Sequence, residues 1–314
     1  KINLNYQFIF IKFPIIFPLF YSLLLYQFPK FENELIIITI LLLAETHFGA
    51  TWPFFLNKIN STFISKNRIS LIAIPIIIAI LSIAGFFLIN KFFLLIFFAA
   101  NMFHVTRQSF GICKLYCKNI DESKFQGILI YLINFSFFLI GFFRFYLPII
   151  EGFSFIAMNV FVGIFFISLC IIYLIKYGYT ENFFVFLTGC LIFYPMCFVN
   201  NPVHAIIMGV TMHYTQYIYL TYNIFNFRNK SLTEETNKGF SSKFLNYFIV
   251  IIFYALIMTA FSLFGKSDDI YLKQLIIIPI IGQMIHFYID SQLWKFNDKH
   301  NRDNTLYYMS KFIK

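Results

Sequence analysis

The sequence predicts an all-α fold, a polytopic transmembrane helical bundle of about ten spans with both ends on the cytoplasmic side. Three observations predict it. First, the composition is 60% hydrophobic and 12% charged, where a soluble domain carries roughly 45–50% apolar and roughly 25% charged residues. One aqueous core cannot hide that much apolar surface, so lipid is the solvent for most of the chain. Second, apolar runs of spanning length recur from end to end. Third, Lys and Arg gather in alternate loops. Membrane helices with this positive-inside asymmetry account for the net charge of +10. A nucleic-acid partner is excluded, because no basic stripe with interleaved aromatics appears.

A span needs about 17–25 apolar residues. Ten runs qualify, at 7–28, 35–56, 70–89, 92–112, 125–147, 153–175, 182–199, 201–224, 244–264 and 271–294. The first is too long for a cleavable signal peptide and has no small-residue cleavage site after it. The seventh is short and ends near Pro195 and Pro202, so it reads either as half of a tight hairpin through Asn200–Asn201 or as a broken element. With the N-terminus inside, only Lys30, Lys91, Arg144, Lys266 and Lys273 of the 24 basic residues fall outside. That alternation supports an even number of spans. The chain reads as one integral membrane domain over 1–314, with a cytoplasmic tail from about 295 and a polar loop at about 226–243 that holds Glu234 and Glu235. A bacterial inner membrane is the expected location. The 47 Phe reflect an AT-rich genome as much as any site. The five Cys are scattered and odd in number, so they form no disulfide framework.

Ionisable residues inside a bilayer are costly and mark functional sites. Five of the six His lie within expected spans. His47, His104, His213 and His286 sit on spans two, four, eight and ten, all running from outside to inside. Each lies about 10–15 residues before the basic end of its span, which at about 1.5 Å per residue puts all four in one layer. Four imidazoles at one depth suit a metal ion. His204 is a fifth candidate ligand, although nine residues from His213 turns it to another helix face. His300 lies in the charged tail and is assigned no role.

A ligating His donates its second ring N–H to a nearby acceptor. Gln108, Gln216 and Asp290 follow His104, His213 and His286 by three or four residues, and Thr51 follows His47 by four. Such spacings share a helix face. Gln108, Gln216, Asp290 and Glu45 are therefore the candidate orienting and catalytic groups, with Glu45 an alternative ligand. The same histidines also suit interhelical hydrogen bonding or a proton pathway, and those readings stay open.

Imidazole suits zinc, copper and iron. The His-Glu-x-x-His signature of zinc hydrolases is absent. Two axial His also suit haem, but the paired spacing of cytochrome b bundles is missing. Non-haem Fe(II) is the favoured ion, with haem or zinc behind it, and a cavity at membrane depth admits lipophilic substrates. His47-Phe48-Gly49 resembles the His-Phe-Gly elements of the bacterial Brp/Blh carotene dioxygenases, which are polytopic and of similar size. The chain lacks that family's Pro-His-Gly-Ala-x-Asp element. The resemblance implies an iron-dependent dioxygenase that cleaves a carotenoid to retinal, with His104, His213 and His286 as further ligands. An electron donor or a homo-oligomer are the other expected partners. A transporter or channel with a His/Asp proton relay, and a structural subunit, are the competing functions.

Asn60-Ser61-Thr62 matches a glycosylation pattern but falls in a loop expected inside. Arg107 reads as a residue that reaches for lipid headgroups or clamps a substrate carboxylate.

Overall fold

The computed structural model describes residues 7–117, 119–233 and 240–311, with side chains described for 7–117, 119–229 and 245–311. Lys1, Lys118, Glu234, Glu235, Lys238 and Lys314 lie outside the described residues, as does the centre of the expected polar loop. Among the described residues, all regular structure is helical. In chain order the helices are α1 (Phe8–Gln27), α2 (Pro29–Phe55) and α3 (Ser61–Lys66). They continue with α4 (Ile69–Leu88), α5 (Asn90–Tyr116), α6 (Ile120–Tyr146) and α7 (Gly152–Tyr177). The last are α8 (Glu181–Cys190), α9 (Pro202–Thr233), α10 (Phe240–Phe264), α11 (Ile270–Leu293) and α12 (299–309).

Among the described residues, seven helices are long and apolar enough to cross a membrane, namely α1, α2, α4, α6, α7, α10 and α11. This is an integral membrane protein built of helices. Two further expected spans fall on α5 and α9, which have 27 and 32 residues. Both are long enough to cross, since about 20 residues suffice. Their apolar runs are interrupted by polar side chains: Asn101, His104, Thr106, Arg107 and Gln108 on one, and His204, His213 and Gln216 on the other. The seventh expected span, 182–199, is interrupted. Helix α8 has 10 residues, about 15 Å of rise, and the chain then leaves the helix at Leu191.

The described chain groups into two compact units, one of residues 1–36 and 101–213, the other of 37–100 and 214–314. In the first unit, the stretch after α8, which holds only a short 3-10 helix at Tyr194–Cys197, is tied by donors from other helices. Arg144 donates to Met196 O at 2.9 Å, Val199 O at 2.7 Å and Asn200 Oδ1 at 2.6 Å. Asn159 Nδ2 donates to Cys197 O at 2.9 Å. Irregular backbone at membrane depth persists only where its polar groups find such partners. The stretch also lies directly on α9. A Cβ built on Gly209 would overlap the carbonyl of Ile192, which is fully buried. Only glycine fits that crossing. A second buried network joins Tyr173, which donates to Glu122 Oε1 at 2.6 Å, to Gln126, which donates to the Tyr173 oxygen at 2.9 Å.

In the second unit, α2 crosses α10 at Gly49, where a Cβ would come within 3.1 Å of Ile251 O. At the far end of α2, carbonyls left without a helical donor are capped from elsewhere. Asn60 Nδ2 donates to Phe54 O and Phe55 O at 3.0 and 2.9 Å. Asn60 is thereby buried and is not a glycosylation acceptor in this fold. Arg228, also buried, donates through Nε to Asn304 O at 2.7 Å and through Nη2 to Thr305 Oγ1 at 2.8 Å. The charged tail is therefore a packed helix, α12. His300 takes part in it, hydrogen-bonded to Asn60 Oδ1 at 2.9 Å and stacked on Phe63 at 4.3 Å. Sequence reasoning assigned His300 no role, because a tail residue gives no periodicity to read. The five cysteines are free.

Two outcomes follow from these contacts. Gly209→Ala forces backbone apart at the Ile192 crossing and costs at least about 1–3 kcal/mol, read as a drop in thermal midpoint in detergent; an unchanged midpoint contradicts the crossing. Burial, and next the Arg228 cation, hold the His300 imidazole below its ordinary pKa. The unfolded chain then binds a proton that the folded chain refuses, so stability is full above the ordinary value of about 6.5 and falls as pH drops below it. His300→Gln removes that acid-side slope in a midpoint-against-pH series.

Candidate metal centre

The site begins with a π-helical turn. Residues Ile40–Ala44 of α2 widen the helix just before Glu45, and such turns re-aim the side chains that follow. From Ala44 to Thr51 every residue is buried, so this part of α2 is enclosed on all faces. His47 is fully buried.

In the second unit, the ring of His47 lies 4.5 Å from that of His286 on α11, edge to face. Two tyrosines of α9 pack on His47, Tyr214 at 4.9 Å and Tyr217 at 4.7 Å. His286 is held by α2 through Thr51, with Oγ1 at 2.6 Å from Nδ1. Thr51 also meets the Tyr217 hydroxyl at 2.9 Å. Tyr217 donates to Asp290 Oδ1 at 2.6 Å. The other oxygen of Asp290 stands 3.6 Å from His286 Nε2. Asp290 thus lies one turn past His286 on the same face of α11, as its spacing predicts, but at 3.6 Å it accepts no hydrogen bond from the ring. Thr51 serves His286, and not His47 on its own helix, because the turn of α2 aims it across at α11.

Glu45 is 1% exposed. Its Oε1 accepts from Gln283 Nε2 at 3.3 Å, while Oε2 has no hydrogen-bond partner among the described residues. Gln216 is buried, and its Nε2 likewise finds no partner among them. Gln108 is half-buried one turn past His104, and Arg107 is exposed, as a residue reaching for headgroups would be.

In the first unit, the rings of His104 on α5 and His213 on α9 meet edge to face at 5.2 Å. Both are buried. His204 is buried as well, but in a different setting. Its Nδ1 is hydrogen-bonded to the Tyr21 hydroxyl at 2.7 Å, with the two rings 5.6 Å apart. It stands outside the histidine group, as its helical phase relative to His213 requires.

The expected set is otherwise brought together. His47, His104, His213 and His286 are all buried, and one ligand atom from each lies within 4.8 Å of the others. Metal–nitrogen bonds of about 2.0–2.1 Å set opposed ligands about 4 Å apart. The group could hold a metal ion.

Sequence reasoning missed Tyr214, Tyr217 and Gln283. Tyr217 follows His213 by four residues, so its helix face was readable, but it is one of 20 Tyr and a hydroxyl gives no spacing signature of its own.

Titration with Co(II) separates the histidines. His286→Ala weakens binding at least about 10-fold, whereas His204→Ala leaves it unchanged; equal losses in both variants contradict the grouping. No protein-family model matches the chain, and neither the curated proteins nor the solved structures contain a match to it.

Proposed function

We propose that this protein is a membrane-embedded non-haem iron oxygenase acting on a lipophilic substrate. The observation that carries the reading is the buried group of four histidines on four helices. Imidazole ligands suit iron, copper and zinc alike. The choice of Fe(II) rests on the setting: a hydrolytic zinc site needs water at hand, while this group is enclosed among apolar and aromatic side chains. An iron ion bound there would supply redox chemistry with O₂. Four neutral ligands leave the ion its charge, and Asp290, 3.6 Å from His286, and Glu45, two residues before His47, are the carboxylates that would offset it. The rings of Tyr214 and Tyr217 against His47 and the burial of residues 44–51 of α2 would keep water from the ion.

Haem fits less well. Four ligand atoms within 4.8 Å of one another put imidazoles where the macrocycle would have to lie. The leading substrate is a carotenoid, cleaved oxidatively to retinal, on the strength of the resemblance of His47-Phe48-Gly49 to the Brp/Blh enzymes. A bacterial inner membrane suits that substrate, and a redox partner would supply electrons where the reaction consumes them. The proton-relay reading draws on one specific observation, the hydrogen-bonded series from His286 to Asp290.

Metal analysis of the purified protein distinguishes the two. The oxygenase reading expects about one bound Fe per chain, lost in His104→Ala and His286→Ala; protein without metal in the wild type contradicts it. Expression in carotene-producing cells tests the substrate. Loss of colour with retinal formation is expected, and unchanged pigment rules out carotene cleavage.

A further inference from the structure

We propose that a groove between α2 and α10 binds a single-chain lipid alcohol, with the hydrocarbon chain in the groove and the hydroxyl against Glu45. The groove has a volume of about 430 Å³, within the range of about 300–1,000 Å³ that holds small molecules. Its walls are Ile249, Val250, Phe253 and Ile257 of α10, with Trp52 of α2 and the ring of Tyr254. The first four are exposed and lie in the middle of the apolar span Leu245–Phe264. The groove therefore opens to lipid, where a hydrocarbon chain is the available occupant.

A hydrocarbon alone does not serve Glu45. Its carboxyl is buried, and Oε2 has no hydrogen-bond partner among the described residues. The histidine group does not include it. Tyr254 joins this carboxyl to the groove. Its ring lies on Gly49, one turn past Glu45 on the same face of α2, where a Cβ would stand 3.1 Å from Cδ1. Its hydroxyl lies on Gly282 of α11, where a Cβ would stand 2.7 Å away. The next residue, Gln283, donates to Glu45 Oε1 at 3.3 Å. Tyr254 and Glu45 are close enough to interact electrostatically. The wall of the groove and the open carboxyl oxygen thus meet among α2, α10 and α11. A hydroxyl both gives and accepts a hydrogen bond, so it serves Oε2 whether the carboxyl is ionised or protonated. An ionised head group is costly at this depth. The site stands without the metal centre.

The test is photolabelling of the full chain in lipid nanodiscs, with hexadecanol that carries a diazirine in its chain. Labelling should concentrate on residues 249–258. Unlabelled hexadecanol should compete at least about 10-fold better than hexadecane, as one hydrogen bond to a buried carboxyl requires. Glu45→Leu should erase that preference, and Ile257→Trp should fill the groove and abolish the labelling. Ile257→Trp alters an exposed position, so it tests the groove even where Glu45→Leu fails to fold. Labelling spread evenly over the lipid-facing helices, the mark of annular lipid only, overturns the proposal. So does equal competition by the alcohol and the alkane, a preference that survives Glu45→Leu, or full labelling of Ile257→Trp.

Discussion

Lipid offers a polar group no hydrogen bond, so each one placed at membrane depth must find its partner within the protein. That constraint explains more of this structure than apolar packing does. It accounts for the break after α8, where Arg144 and Asn159 satisfy carbonyls that a helix would have satisfied by itself. Burial within the protein makes the same demand at Asn60 and Arg228 at the end of α2, where the last turn of a helix leaves carbonyls without internal donors. Burial likewise accounts for the pairing of Glu122 with Tyr173 and Asn182. In each case, a side chain that looks expensive in the sequence stands in for water.

The histidine group follows the same rule with a different outcome. Thr51, Tyr217 and Asp290 satisfy one side of His286. The imidazoles then gather at a spacing that suits an ion. Burying a carboxylate such as Asp290 costs several kcal/mol unless positive charge or strong donors compensate. Tyr217 supplies one donor. Gly49 lets α2 lie against α10 closely enough to enclose His47. Packing, polar satisfaction and site geometry thus converge on the same short segment, residues 44–51.

Much of this was legible in the sequence. Membrane helices announce themselves by composition and run length, and four of the ligand candidates emerged from matched depth on parallel spans. Asp290 was readable because four residues on a helix make one face. The rest was not legible for definite reasons. The 182–199 run is apolar enough to span, and nothing in its composition says that Ile192 must rest on Gly209. Thr51 was assigned to His47 because spacing speaks only for contacts within one helix, whereas its partner is on α11. Tyr217 and His300 act through contacts between distant segments, which periodicity cannot encode. The charged tail looked like a solvated end, yet Asn301 and Asn304 bind it to neighbouring backbone.

The account depends most on one claim, that four imidazoles surround a single ion. X-ray absorption at the edge of the bound metal tests it directly. The account predicts a first shell of nitrogen or oxygen at about 2.0–2.2 Å with the outer-shell scattering of about four imidazole rings. A spectrum with sulfur in the first shell, or with the scattering of at most one imidazole, would contradict it.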